Sequence, residues 1–197
     1  MSKKPYHHGA LRQALLEGAM KLLEENGAPQ LSLREAARKA GVSQTAPYRH
    51  FTSKEALLAA LAAQGFQDLC TAMDKAKAAT DNAAENLHAM GRAYVGFALA
   101  RPQLFRLMFG PEISDKSAFP ETDAAARGAY SRLARAVEAY LAARRIHLKT
   151  PQVPAVTAWS LVHGLAALLI DNQIVDMDKE GQDQLITAVT GFFVTGG

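Results

Sequence analysis

Cysteine occurs once in this 197-residue chain, at Cys70, so no internal disulfide can form. A lone Cys beside Leu69 reads as a small buried hydrophobe, with a redox sensor as the alternative. The opening charges of MSKKPYHHG are not followed by an apolar stretch, which argues against a secretory signal and leads to the expectation of a cytoplasmic protein. The long uncharged stretch of residues 151–170 contains Gln152, Thr157, Ser160, His163, Gly164 and two prolines, so a buried helix explains it better than a membrane span. Catalytic signatures are missing too: there is no H-E-x-x-H, no phosphate-cradling glycine loop and no G-x-S-x-G. One E-x-x-H is present, Glu85 to His88, but a helical di-iron site needs a second copy and further carboxylates on facing helices. No internal repeat is found. These absences lead to the expectation of a protein that is not an enzyme, with no metal and no cofactor.

What is present is apolar surface and an uneven charge. Hydrophobic residues make up 49% of the chain, ample for a core in one folded unit or two closely packed ones. The net charge of +3 hides an asymmetry. Residues 1–60 hold nine Lys/Arg against five Asp/Glu, whereas 61–197 hold thirteen against fourteen. A basic first third, which also contains His7, His8 and His50, attached to a near-neutral remainder suggests a module that meets a polyanion, although a modest surplus of this kind is also what a solvated surface carries.

Periodicity sharpens the choice. Leu11, Leu15, Ala19, Leu22 and Leu23 recur at helical spacing before Asn26-Gly27, predicting a helix over about 8–26. Ser32 caps a short second helix with Leu33, Ala36, Ala37 and Ala40 on its apolar face, and Gly41 can end it in the left-handed conformation. Ser43 is placed to cap a third. Two short helices joined by a Gly-containing turn make a helix-turn-helix. Within VSQTAPYRHFTSKEALL, Pro47 falls at the edge of the third helix's first turn, where its missing N–H costs least, while it biases Ala46 away from helical angles. Small side chains at Ser43, Thr45 and Ala46 allow the helix start to approach base edges. Gln44 can form a bidentate pair with adenine, and Tyr48, His50 and Lys54 can bond phosphates. Tyr48 and Phe51 could instead be core and Arg49 a solvated charge; for Phe51 the core assignment is adopted.

The segment LSLREAARKAGVSQTAPYRHFTSKEALL resembles the TetR (tetracycline-repressor-like) family of transcription regulators in its second helix, Gly-Val-Ser turn, Tyr-x-His-Phe and Ser-Lys-Glu. YHHGALRQALLEGA and AWSLVHGLAALL are similar to a subgroup whose C-terminal domain is named for its Trp, His and Gly, here Trp159, His163 and Gly164. The resemblance implies base or groove contacts from Arg34, Gln44, Thr45, Ala46 and Arg49, and phosphate contacts from Tyr48, His50 and Lys54. Pro47 departs from the large apolar residue more common at that position.

The remaining chain reads as all helix, with candidates at 54–79, 83–100, 101–110, 121–146, 152–173 and 181–194. The expected fold is all-α with about nine helices: a three-helix DNA-binding domain, 1–54, then a helical ligand-binding and dimerisation domain, 55–197. The helix of 152–173 is apolar on nearly all sides, with Val162, Leu165 and Leu169 among its residues, so something beyond its own domain should cover it. Leu185, Val189 and Phe192 give the last helix a similar face. A second copy is the expected cover, and the resemblance implies dimerisation through these two helices; the alternative is that both are central in one monomer core. Tyr94, Phe97, Phe105, Met108 and Phe109, with His88 nearby, concentrate soft apolar surface that is either plain core or a pocket for a largely apolar effector. Trp159 and His163 share a helix face and divide between the same two readings. The expected function is therefore a ligand-responsive regulator, most simply a repressor, that binds a pseudo-palindromic operator as a homodimer. A non-catalytic helical carrier of small molecules is the alternative.

Overall fold

The computed structural model describes residues 8–77, 81–150, 152–174 and 177–195, and these are helical with no strand among them. Among the described residues eight α-helices are present: α1 His8–Asn26, α2 Leu33–Lys39, α3 Lys54–Lys77, α4 Ala83–Ala100, α5 Pro102–Phe109, α6 Pro120–Ala143, α7 Gln152–Ile170 and α8 Lys179–Thr195. Short 3₁₀ turns occupy Ala28–Gln30, Pro47–Arg49 and Lys116–Ala118. The basic opening, residues 1–7, lies outside the described residues.

Two compact units emerge. The first comprises residues 1–65 and 101–125, the second 66–100 and 126–197. The boundary drawn from sequence at 54/55 falls inside the first unit, because α5 packs against α1 and the chain through residue 125 stays with it.

In the first unit, the apolar stripe of α1 is buried through Leu15, Leu16, Ala19, Leu22 and Leu23, each such leucine contributing roughly 1.5–3 kcal/mol. Gly18 allows α2 to lie close across it: a Cβ there would stand 3.3 Å from the Ala36 carbonyl oxygen and the Ala40 nitrogen. The start of α2 is fixed by Ser32, whose Oγ accepts from the Glu35 N–H at 3.2 Å. It ends as its sequence predicts, with Gly41 at φ 68° and the Val42 N–H donating back to the Ala37 carbonyl at 3.0 Å.

The second unit is built around α4, which packs against both α7 and α8. Leu87, Met90, Tyr94, Val95 and Ala98 form its buried face, and Gly91 brings it within 3.3 Å of Thr190 and 3.4 Å of Val162, measured from where a Cβ would be. Arg132 of α6 holds Asp74 of α3 through both carboxylate oxygens, at 3.0 and 2.9 Å. By length and composition α3 and α7 could each cross a membrane, with mean hydropathy 1.2 and 1.8. Here α7 packs against α4 and α8, with Pro154, Ala155, Ala158, Val162, Leu165, Ala166 and Leu169 buried.

Candidate functional site

The expected third helix does not form. Residues 43–50 are a succession of turns ending in the 3₁₀ turn Pro47–Arg49. The reason is local chemistry. Pro47 has no N–H to donate to the Ser43 carbonyl, which instead accepts from the Ala46 N–H at 3.0 Å, and the Pro47 carbonyl accepts from both His50 and Phe51 at 2.9 Å. Two further expectations are corrected. Ala46 keeps helical angles, φ −59° and ψ −41°, despite preceding a proline. Ser43 does not cap with its side chain, its Oγ lying 3.2 Å from Thr45 Oγ1.

Proline nevertheless anchors the segment, because its ring is fully buried and the turn packs against α2. Phe51, also buried, lies beneath the Arg12 guanidinium at 5.6 Å, and Arg12 in turn reaches Glu121 at 3.3 Å. With Pro47 and Phe51 turned inward, the opposite side of the segment faces solvent: Ser43, Gln44, Thr45, Arg49 and Tyr48 are exposed, Tyr48 by 54%. Arg34 on α2 is exposed as well, and Ala46 is half-buried. Lys39 is engaged with Glu25 at 2.9 Å and Arg38 with Glu35 at 3.6 Å, whereas Arg34 and Arg49 make no ion pair among the described residues. Lys54 Nζ donates to the Pro29 carbonyl at 2.8 Å, and His50 is half-buried with Nε2 enclosed. One unpaired arginine, an amide, two hydroxyls and a phenol on one exposed segment, with Arg34 exposed on α2, can meet base edges and phosphates.

The residues expected to line a ligand site divide between the units. Phe105, Met108 and Phe109 lie on α5 in the first. Phe105 and Met108 are buried, Phe109 tilts against Phe105 with ring centroids 5.0 Å apart, and a Cβ at Gly65 would stand 2.7 Å from the Met108 sulfur. His88, Tyr94, Phe97, Trp159 and His163 belong to the second unit. His88 Nε2 lies 3.0 Å from the Thr187 carbonyl oxygen, tying α4 to α8, while Glu85 accepts from Asn82 at 3.2 Å. Among the described residues no three His, Cys, Asp or Glu side chains gather into a metal-binding group.

Tyr94, Trp159 and His163 come together as a polar cluster between α4 and α7. Trp159 Nε1–H donates to Tyr94 Oη at 3.3 Å, and Tyr94 Oη lies 2.9 Å from His163 Nδ1. Burial pushes the Tyr94 phenol well above its ordinary range and the His163 imidazole below its own. The phenol therefore keeps its proton and the imidazole stays neutral near pH 7, matching an O–H donor to a bare ring nitrogen. Tyr130, which the sequence does not single out, meets Trp159 edge-on at 5.8 Å.

Of the residues expected to face a second copy, Val162, Leu165 and Leu169 are buried within the single chain, Leu185 and Val189 are half-buried, and Phe192 is 64% exposed. The exposed large apolar side chains of α7 are Val153, Val156 and Leu168.

Comparison with known proteins matches two parts of the chain. Residues 15–61 match the profile described as bacterial regulatory proteins, tetR family, and residues 87–192 match tetracyclin repressor-like, C-terminal domain. The HTH-type transcriptional regulator Rv1816 of Mycobacterium tuberculosis is 31% identical over 112 residues, 56% of this chain and 48% of that protein. The chain thus spans about half the length of the curated relatives it matches. A solved structure from Rhodococcus sp. RHA1, described as a protein with unknown function, is 36% identical, with TM-score 0.84 and 98% of each chain covered. The flavonoid-responsive regulator FrrA is 28% identical, with TM-score 0.62 and coverage of 95% of this chain and 97% of that one.

Proposed function

The chain belongs to the TetR family of bacterial transcription regulators, and on that premise we propose that it is a repressor that binds a pseudo-palindromic operator as a homodimer and leaves it when a small molecule occupies the second unit. The observation that carries the proposal is the exposed segment from Ser43 to Arg49, held from behind by the buried Pro47 and Phe51. Gln44, Thr45, Arg49 and Arg34 read bases or the groove. Tyr48 contacts phosphate, with His50 and Lys54 beside it; Lys54 exchanges its Pro29 partner for a phosphate oxygen when DNA is present.

The apolar faces left open support dimerisation. Val153, Val156 and Leu168 on α7 and Phe192 on α8 are exposed in one chain, and a self-complementary pairing covers them and sets two reading segments on one duplex. On the same two helices Leu185 and Val189 are half-buried, and Val162, Leu165 and Leu169 are buried. The effector is largely apolar. Tyr94, Trp159 and His163 offer aromatic faces and hydrogen-bonding groups to it, with His88 and Phe97 on the same helix as Tyr94, and FrrA, described as flavonoid-responsive, supports a small-molecule signal. Release requires that the effector bind the DNA-incompetent arrangement better than the competent one, since equal affinity for both shifts nothing. The site of action is the cytoplasm.

Selection of bound sequences from a random duplex pool by the full chain tests the reading. Enrichment of an inverted repeat is the expected outcome. A helical carrier of small molecules would enrich nothing, and a single unrepeated half-site would refute the dimer on DNA.

A further inference from the structure

Residues 139–170 contain no Asp or Glu. Arg144, Arg145 and Lys149 are concentrated in the exposed connection between α6 and α7, and none of them forms an ion pair among the described residues. The same connection exposes Ile146 by 40% and Leu148 by 50%, and it runs directly into the open face of α7 at Val153 and Val156. Arg145 holds φ 55°, a left-handed conformation that disfavours a side chain and usually takes glycine. The opposite end of α7 carries a surplus of the opposite charge: Asp171, Asp178 and Glu180 are all exposed within ten residues of its C-terminus, against the one exposed cation Lys179 among the described residues there.

Local roles explain part of this pattern. Arg144 and Arg145 follow the C-terminus of α6, where cations are favoured, and Asp178 Oδ1 accepts from the Gly181 N–H at 2.8 Å as the cap of α8. They do not explain Lys149, which precedes the N-terminus of α7, where a cation is disfavoured, nor two exposed aliphatic side chains beside it.

We propose that the basic connection of one copy pairs with the acidic α7–α8 turn of the other, and that this pairing sets the two copies antiparallel along α7; it rests on the homodimer reading. The geometry follows from symmetry. Ser160 and Gly164 lie at the middle of the open face of α7, and a Cβ at Gly164 would meet nothing within 4 Å, so a second helix can approach closely there. A two-fold axis across that midpoint brings the N-terminal end of α7, about 28 Å long by its 1.5 Å rise per residue, beside the C-terminal end of its mate. Cations then meet anions at both ends of the interface. A two-fold axis along the helices would oppose Arg144, Arg145 and Lys149 to their own copies, so the charges disfavour that arrangement. An anionic lipid surface fits less well, because the same face ends in carboxylates.

The test uses the full chain, with dimer dissociation followed by sedimentation at low and high salt. The double reversals R145E/K149E and D171K/E180K should each raise the dissociation constant roughly tenfold, and salt should raise it for the wild type. The fourfold variant should return to near the wild-type value. Reversals without effect, or a fourfold variant as weak as either double, would overturn the pairing while leaving the dimer standing. A wild-type chain monomeric at every concentration would remove the homodimer reading itself, and the pairing with it. Binding of the wild type to phosphatidylglycerol vesicles, lost in R145E/K149E with dissociation unchanged, would make the connection a lipid contact and likewise overturn it.

Discussion

Replacing Tyr94 by Phe removes one oxygen and little volume, so it largely isolates the polar cluster from the packing around it. The side chain is buried, and its hydroxyl serves Trp159 Nε1 at 3.3 Å and His163 Nδ1 at 2.9 Å. Without it, both nitrogens lose that partner in a half-buried setting, and no cavity forms to add a packing penalty. Each such bond contributes about 0.5–1.5 kcal/mol, so losing the two together costs about 1–3 kcal/mol, the longer bond from Trp159 supplying the smaller share. For a chain of this length each kcal/mol lowers the thermal midpoint by about 2–4 °C, so a fall on the order of 6 °C is expected. Thermal unfolding followed by circular dichroism, with urea unfolding as a check, measures it. A Tyr94→Phe protein with an unchanged midpoint would refute the view that the cluster is a structural bond set. Were such a protein also blind to effector, the hydroxyl would belong to the ligand site alone.

The same cluster sets a pH dependence. Burial lowers the His163 pKa in the folded chain, so between the ordinary His value of about 6.5 and that lower value the unfolded chain binds more protons. Stability from this group is therefore complete above about 6.5 and is lost as the pH falls through the window; urea unfolding of His163→Gln should show a flatter acid limb, and parallel profiles would contradict the assignment. Gly41→Ala should cost about 1 kcal/mol of stability through its φ of 68° alone, since a Cβ there meets nothing within 4 Å. Phe192→Asp should raise the dimer dissociation constant by at least about tenfold while leaving the unfolding of the separated chain unchanged, because the ring is 64% exposed in one copy. Sedimentation velocity reports the first effect and urea unfolding the second.

Most of the helices were legible because their signals are local. Leu15, Ala19, Leu22 and Leu23 recur at the spacing of one helix face, Ser32 caps and Gly41 terminates, and each does so through neighbours within five residues. The segment 43–50 misled for a local reason of its own. A Ser that could cap and a run of small residues read as a helix, but the donor missing at Pro47 decides the backbone, and the buried ring replaces the apolar anchor that a helix would have supplied. What stayed hidden depends on distant partners. Nothing near Tyr94 in sequence points to His163, 69 residues on, nor does anything near His88 point to the Thr187 carbonyl. Nor does the pattern of α7 clearly separate Val162, Leu165 and Leu169, which turn inward, from Val153, Val156 and Leu168, which stay open, because large apolar residues occur on nearly all sides of that helix.

The central claim is that the exposed turn from Ser43 to Arg49 reads DNA sequence. Binding isotherms of the wild type and Gln44→Ala on the selected inverted repeat and on a scrambled duplex of the same composition, all at one fixed salt concentration, test it most directly. The wild type should prefer the repeat by about 10³-fold or more. Gln44→Ala should lose roughly 1–3 kcal/mol of that preference and keep its affinity for the scrambled duplex, since a base-edge contact carries discrimination and a phosphate contact does not. A wild-type protein that binds both duplexes equally would contradict the account.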